Sequence, residues 1–300
     1  MASISTRIGN FSLENPVILA SGILDETSGS LLRSLNEGAG AAVTKSIGVE
    51  ERKGYPTPVI SEISTGLLNA VGLSNPGIEN FLSEMSSFPL KEMIIVSIFG
   101  KDVDEFVHLS RRVKEAGFDK VELNLSCPHV KGVGSEVGQD LDLVEEIISE
   151  IKKETRLQVW AKLTPNVTDI VSLAKASEAA DAYVLINTLK ATGVEIYSRK
   201  FVLSNIVGGY SGPGIKPIAL RAVYDVYLET GKDIVGVGGI TTWQDAIEFF
   251  LLGSRAIQVG TALIYEDYNV YRKIKEGVSK YLDDEGFSKL EDIIGLMVRR

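Results

Sequence analysis

Eight short apolar, β-branched runs alternate with longer stretches of helical period along these 300 residues, and that alternation limits the fold more than any other feature. The runs are Val17 to Ala20, Ala41 to Thr44, Ile94 to Ser97, Lys120 to Asn124, Gln158 to Lys162, Ala182 to Asn187, Ile234 to Gly236 and Ala256 to Val259. Most lack the polar alternation of a strand with one wet face, so they read as parallel strands buried on both faces. Helices are expected between them, over Ser28 to Glu37, Glu79 to Ser86, Asp102 to Ala116, Asp140 to Glu154, Asp169 to Ala180, Pro217 to Thr230, Thr242 to Leu252 and from Tyr268 onward. Thr168-Asp169 and Thr241-Thr242 offer N-caps, Pro217 suits a first turn, and Gly38, Gly117, Gly231 and Gly253 stand where C-terminal caps belong. Eight such βα units predict an α/β fold, a (β/α)8 TIM barrel formed as a single domain over residues 1–300, with a doubly wound sheet as the alternative.

Two further features refine that expectation. Thr6 to Leu13 reads as a hairpin turning at Gly9-Asn10, suited to cover the open end of a barrel before the first strand enters. The connections from Ser46 to about Glu79 and from Ala191 to Lys216 exceed ordinary loop length. Both leave strand C-termini, the face on which barrel enzymes carry their chemistry, so they are expected to be lids or binding loops.

Composition removes several function classes. The chain has 31 basic and 40 acidic residues, a formal charge of −9, and no basic cluster longer than Arg299-Arg300, which argues against a nucleic-acid partner. No segment approaches the roughly 18 apolar residues of a membrane helix, and the N-terminus has no apolar run of signal-peptide length. A cytoplasmic protein without a membrane anchor is expected. One cysteine in the whole chain excludes an intrachain disulfide and any cysteine-ligated iron–sulfur cluster held by this chain alone. His108 lies in a predicted helix and reads as a surface or packing residue, and one isolated histidine makes no metal site. Tyr265, Tyr268, Tyr271 and Tyr281 sit at helix-packing spacings, and Glu50-Glu51-Arg52-Lys53 reads as a solvated loop face.

The single cysteine stands in Asn124-Leu125-Ser126-Cys127-Pro128, just past the strand-like run Val121-Glu122-Leu123. A lone cysteine is commonly a small buried hydrophobe. Here polar neighbours flank it, Pro128 ends the strand and Lys131-Gly132-Val133-Gly134 follows, which places the thiol in a polar loop at a strand's C-terminal end. His129 is two residues away, although adjacency in sequence proves no hydrogen bond. Polar residues recur at the other strand ends: Ser21, Lys45-Ser46, Ser97, Asn124, Lys162 and Asn187-Thr188. Gly238-Gly239 follows the seventh run and Gly260-Thr261 the eighth. Glycines let backbone amides approach a phosphate, and loops seven and eight are the usual phosphate site of a barrel.

Four segments, Asn69-Ala70-Val71-Gly72-Leu73-Ser74-Asn75-Pro76-Gly77, Asn124 to Pro128, Lys162-Leu163-Thr164-Pro165-Asn166-Val167-Thr168-Asp169 and Ser211-Gly212-Pro213-Gly214-Ile215-Lys216-Pro217, resemble those of class 1 dihydroorotate dehydrogenases. The resemblance runs from about Ile8 to Gly295. It implies an FMN-containing (β/α)8 barrel that oxidises dihydroorotate to orotate in pyrimidine biosynthesis. Cysteine at 127 is the class 1 feature, since the membrane-associated class 2 enzymes use serine and carry an N-terminal extension.

The resemblance also implies roles. Cys127 is the expected base for the C5 proton while the C6 hydride passes to the flavin. A free thiol has a pKa of roughly 8.5, so activity is expected to rise with pH. Lys45, Asn69, Ala70, Val71, Gly72, Leu73, Asn124, Asn187 and Thr188 match positions that hold substrate. Ser21, Lys45, Ser46, Asn124, Lys162, Ile186, Gly212, Gly238, Gly239, Gly260 and Thr261 match positions that hold FMN, Lys162 near the ring edge where reduction builds negative charge and the last four at the phosphate. The Asn69 to Gly77 segment and the ending Gly286 to Gly295 look most like the NAD-linked subtype, 1B. That subtype pairs this subunit with a second protein carrying FAD and a 2Fe-2S cluster, which implies a homodimer or heterotetramer.

Two positions depart from the pattern. His129 and Ser97 stand where many members have asparagines, and with Gly138-Gln139-Asp140 they resemble the pyrimidine-reducing domain of dihydropyrimidine dehydrogenase. Reduction of uracil or thymine is therefore the alternative activity. A barrel that binds a phosphorylated metabolite without redox chemistry would explain the glycine pairs but leave Cys127 and Lys162 idle. A flavin-storing scaffold would be yellow yet reduced by no pyrimidine.

Overall fold

The computed structural model describes residues 2–126 and 137–299. Cys127 and His129 lie outside the described residues. The eight apolar runs form β1 (Val17–Leu19), β2 (Ala41–Val43), β3 (Ile94–Ile98), β4 (Lys120–Asn124), β5 (Gln158–Leu163), β6 (Ala182–Leu185), β7 (Ile234–Val237) and β8 (Ser254–Val259). They pair in parallel in chain order, and β8 closes on β1 to give an eight-stranded barrel. The doubly wound alternative is set aside.

Around the barrel lie α1 (Ser28–Asn36), α2 (Ile78–Glu84), α3 (Val103–Glu115), α4 (Leu141–Thr155), α5 (Ile170–Ala176), α6 (Lys216–Thr230), α7 (Trp243–Leu251), the short α8 (Ala262–Glu266) and α9 (Asn269–Asp284). The expected caps are in place. Asp169 accepts from the N–H groups of Val171 and Ser172, and Thr242 forms a reciprocal capping box with Asp245. Gly231 ends α6 in the left-handed region at φ 61°, its N–H donating to the Tyr227 carbonyl at 2.9 Å. Helix α5 stops at Ala176, short of Ala180, and at its C-terminal cap the hydroxyl of Ser177 turns back onto the Leu173 carbonyl.

The hairpin, Thr6–Ile8 paired with Phe11–Leu13, seals the N-terminal mouth as expected. Ile8, Phe11 and Leu13 pack with the inward side chains of the lowest barrel layer, among them Ile18, Ile95, Trp160 and Ala256, and the Phe11 and Trp160 rings are 6.3 Å apart. Two residues further along three of these strands the same inward face becomes polar: Ile95 gives way to Ser97, Trp160 to Lys162 and Ala256 to Gln258. A dry plug below and a polar floor above follow from the period of two.

The long connections are not loops alone. Residues Ile60–Ile63 and Gly66–Asn69 from the first and Leu189–Thr192 and Val207–Ser211 from the second pair as a four-stranded antiparallel sheet over the C-terminal mouth. Asn69 stands opposite Gly209 in that register. A second pair, Val194–Glu195 with Lys200–Phe201, extends outward. Tyr268 and Tyr271 pack in the core as expected, whereas Tyr265 is half exposed on α8, with its hydroxyl 3.1 Å from Glu62 Oε1 of the sheet. No helix of the described residues is long and apolar enough to cross a membrane.

Candidate active site

A cavity of about 730 Å3 opens between the strand C-termini and the antiparallel sheet. A barrel of eight strands presents every strand end to one mouth, so residues distant in sequence converge there. Ser21, Lys45, Ser46, Asn124, Lys162, Ile186, Gly212, Gly238, Gly239, Gly260 and Thr261 all line it, as do Asn69, Ala70, Val71, Gly72, Leu73, Asn187 and Thr188. Cys127 follows Ser126, the last described residue before 137, and Ser126 also lines this cavity.

One rim is a relay of hydrogen bonds across four strands. Ser97 Oγ lies 2.8 Å from Ser46 Oγ, Asn124 Nδ2 donates to Ser46 at 3.1 Å, and Asn187 Nδ2 donates to Asn124 Oδ1 at 3.2 Å. Ser97 is wholly buried and acts through Ser46 rather than at the cavity surface. The opposite rim is glycine. Gly238 and Gly239 have φ of 128° and 78°, and a Cβ on Gly239 would come within 2.9 Å of the Gly212 carbonyl and the Lys216 N–H. Among the described residues no acceptor takes the N–H groups of Gly238, Gly239, Gly260 or Thr261. Four backbone donors without acceptors at one end of a cavity suit a phosphate.

The segment Asn69 to Gly77 is shaped by its own backbone. Gly72 and Leu73 are left-handed, at φ 79° and 57°, and a Cβ on Gly72 would meet the Tyr55 ring and backbone at 2.8 Å. Buried Asn75 fixes the far end, accepting from the N–H groups of Gly48 and Gly77 and donating to the Leu73 carbonyl. Asn69 Nδ2 donates to the Gly209 carbonyl at 3.2 Å, tying this segment to the second insertion.

The floor holds groups that motif reading missed. Lys162 Nζ lies 3.2 Å from Glu122 Oε1 and 3.3 Å from Gln258 Oε1, and Gln258 Nε2 donates to Glu122 Oε2 at 2.6 Å. Glu122 is 0% exposed, Gln258 1% and Lys162 6%. The available signal was a charged or amide residue centred in an apolar strand run, as in Val121-Glu122-Leu123 and Ile257-Gln258-Val259. Arg52, assigned to a solvated face, is exposed yet also stands on the cavity rim with Tyr55 and Asn166.

Behind Lys45 lies Asp25, 2% exposed, with Oδ1 lacking a partner among the described residues. Burial pushes its pKa up from 3.8 to about 6, against donation from the Gly22 N–H and the pull of the Lys45 ammonium. A raised carboxyl pKa favours the neutral form in the folded state. Its contribution to stability is therefore full below about pH 4 and lost as pH rises through about 6. Asp25→Asn should be more stable than the parent at pH 7 by an amount on the order of 3 kcal/mol, and the difference should shrink toward pH 4. Denaturant unfolding of both proteins at the two pH values checks this; an equal difference at each would show that Asp25 titrates alike folded and unfolded.

The family model described as dihydroorotate dehydrogenase matches residues 3–282. The chain belongs to the dihydroorotate dehydrogenase family. Among relatives of this family, a protein of Thermoplasma acidophilum named dihydroorotate dehydrogenase B (NAD(+)), catalytic subunit, is 53% identical over 300 residues and the match covers all of both chains. Proteins of the same name from Pyrococcus furiosus and Methanocaldococcus jannaschii are 51% and 41% identical, over 98% of this chain and 98% and 97% of theirs. The family match thus extends along essentially the whole chain.

Proposed function

We propose that this protein oxidises dihydroorotate to orotate in pyrimidine biosynthesis, as the FMN-dependent catalytic subunit of a class 1B dihydroorotate dehydrogenase, a single barrel domain over its whole length. The observation that carries the reading is the cavity at the barrel mouth, where a phosphate-sized set of free backbone donors, a buried lysine and an amide-rich rim meet, with Ser126, the neighbour of Cys127 in sequence, in the lining. Relatives named for this activity along the full length support it.

The residues fit a flavin mononucleotide. The N–H groups of Gly238, Gly239, Gly260 and Thr261 would hold its phosphate, Lys162 its charged ring edge, and Ser21, Lys45, Ser46, Asn124, Ile186 and Gly212 the remainder. When bound, the flavin supplies an acceptor for the hydride that leaves C6 of dihydroorotate. The thiolate of Cys127 takes the proton from C5, and the C5–H electron pair becomes the C5=C6 double bond of orotate. Lys45 answers the substrate carboxylate, while Asn69, Asn124 and Asn187 offer amide donors and acceptors to the ring, with Thr188 and the Ala70 to Leu73 backbone beside them.

A partner subunit carrying FAD and a 2Fe-2S cluster would take the electrons onward to NAD+. The words "catalytic subunit" in the relatives' names support a partner, and a chain with one cysteine has no ligand set for such a cluster. The exposed Ile196 and Tyr197 of the outer hairpin's turn, with Phe201 beside them, support a homodimer or heterotetramer. A cytoplasmic location fits the absence of a long apolar helix among the described residues.

The test is anaerobic mixing of purified protein with dihydroorotate and, separately, dihydrouracil, following the visible flavin band. Bleaching by dihydroorotate alone is expected. Bleaching by dihydrouracil alone would move the assignment to dihydropyrimidine chemistry, and protein without a flavin band would end the redox reading.

A further inference from the structure

Three strands, β4, β5 and β8, send Glu122, Lys162 and Gln258 into one closed triangle under the cavity floor. Each leg uses a donor and an acceptor: ammonium to carboxylate, ammonium to amide oxygen, amide N–H to carboxylate. Taking two opposite charges out of water is costly, and a barrel centre filled with apolar side chains would be at least as stable. A fold-only explanation therefore accounts poorly for the triangle. Its apex, Lys162, lines the cavity, and so do Glu122 and Gln258.

We infer that Glu122 is a positioning residue that, with Gln258, fixes the Lys162 ammonium at the cavity floor and partly cancels its charge, thereby setting the redox potential of the bound flavin; this rests on the flavin reading above. The argument is one of sign. A fixed cation beside the ring stabilises the reduced form, which carries the added negative charge, and a carboxylate 3.2 Å from that cation offsets the effect. Both charges are almost entirely shielded from solvent, so screening by water and salt is weak. Gln258 donates to Glu122 and accepts from Lys162, which holds the two charges in register without adding a third.

The potential separates this role from mere support of the fold. In the flavin-loaded protein, Glu122→Gln should raise the two-electron midpoint potential, shifting the reduction equilibrium at least tenfold, or about 30 mV. Glu122→Asp keeps the charge but withdraws it by one methylene, and should shift the potential the same way by less. That variant also serves if Glu122→Gln is recovered unfolded. Lys162→Met, which removes the cation itself, should shift the potential the opposite way, downward. Flavin affinity of the apoproteins, measured by fluorescence quenching, gives a readout independent of turnover. An unchanged or lowered potential in flavin-loaded Glu122→Gln or Glu122→Asp would overturn the inference while leaving the flavin reading intact. A parent protein that binds no flavin would overturn both.

Discussion

Cys127→Ala is expected to retain its flavin and to lose flavin reduction by dihydroorotate by about 10²- to 10⁴-fold, the usual contribution of a positioned general base. The glycine rim of the cavity, around Gly238, Gly239, Gly260 and Thr261, follows other strands, so cofactor content should not change. Rapid mixing under anaerobic conditions measures the step directly. The pH dependence supplies the control: the parent rate should climb with pH toward the thiol pKa, roughly 8.5 for a free cysteine, while the residual rate of the variant lacks that rise. A variant that bleached as fast as the parent would remove Cys127 from the role of base.

Lys162→Ala should damage the fold and the site together. The lysine is 6% exposed and its partner Glu122 is wholly buried, so truncation leaves a carboxylate at the barrel centre with only Gln258 to serve it. Breaking a buried pair by removing one partner typically costs about 3–5 kcal/mol. Removing the cation from the cavity floor should also weaken flavin binding. Denaturant unfolding of the flavin-free proteins isolates the first effect and flavin content on purification the second. A loss of stability under about 0.5 kcal/mol would be the behaviour of a surface group, and would contradict the burial seen here.

The barrel was legible in the sequence because its strands are continuous apolar runs buried on both faces, and eight of them separated by helical stretches favour a closed barrel over a doubly wound sheet. Strand boundaries moved by only a residue or two, as where β8 begins at Ser254 rather than Ala256. The antiparallel sheet over the mouth was not legible. Its strands are four or five residues long, three of the four are half-exposed, and one includes Gly208-Gly209, so neither periodicity nor propensity marks them. Asn69 and Gly209 are paired across 140 positions, which no local pattern encodes. Within the site, residues at strand ends were visible because polarity there interrupts an apolar pattern. Glu122 and Gln258 were passed over because a residue in mid-strand is read as part of the strand, although their charge and amide are the greater anomaly.

The interlocked sheet also bears on how such an enzyme can change. Its strands come from two excursions far apart in the chain, yet Gly66–Asn69 is hydrogen-bonded between Ile60–Ile63 and Val207–Ser211. Neither excursion can be exchanged with a homologue's alone without leaving an unmatched strand edge above the cavity. The two therefore form one inheritable cassette written in two places, and altered substrate preference, whether by selection or by grafting, must travel as a matched pair.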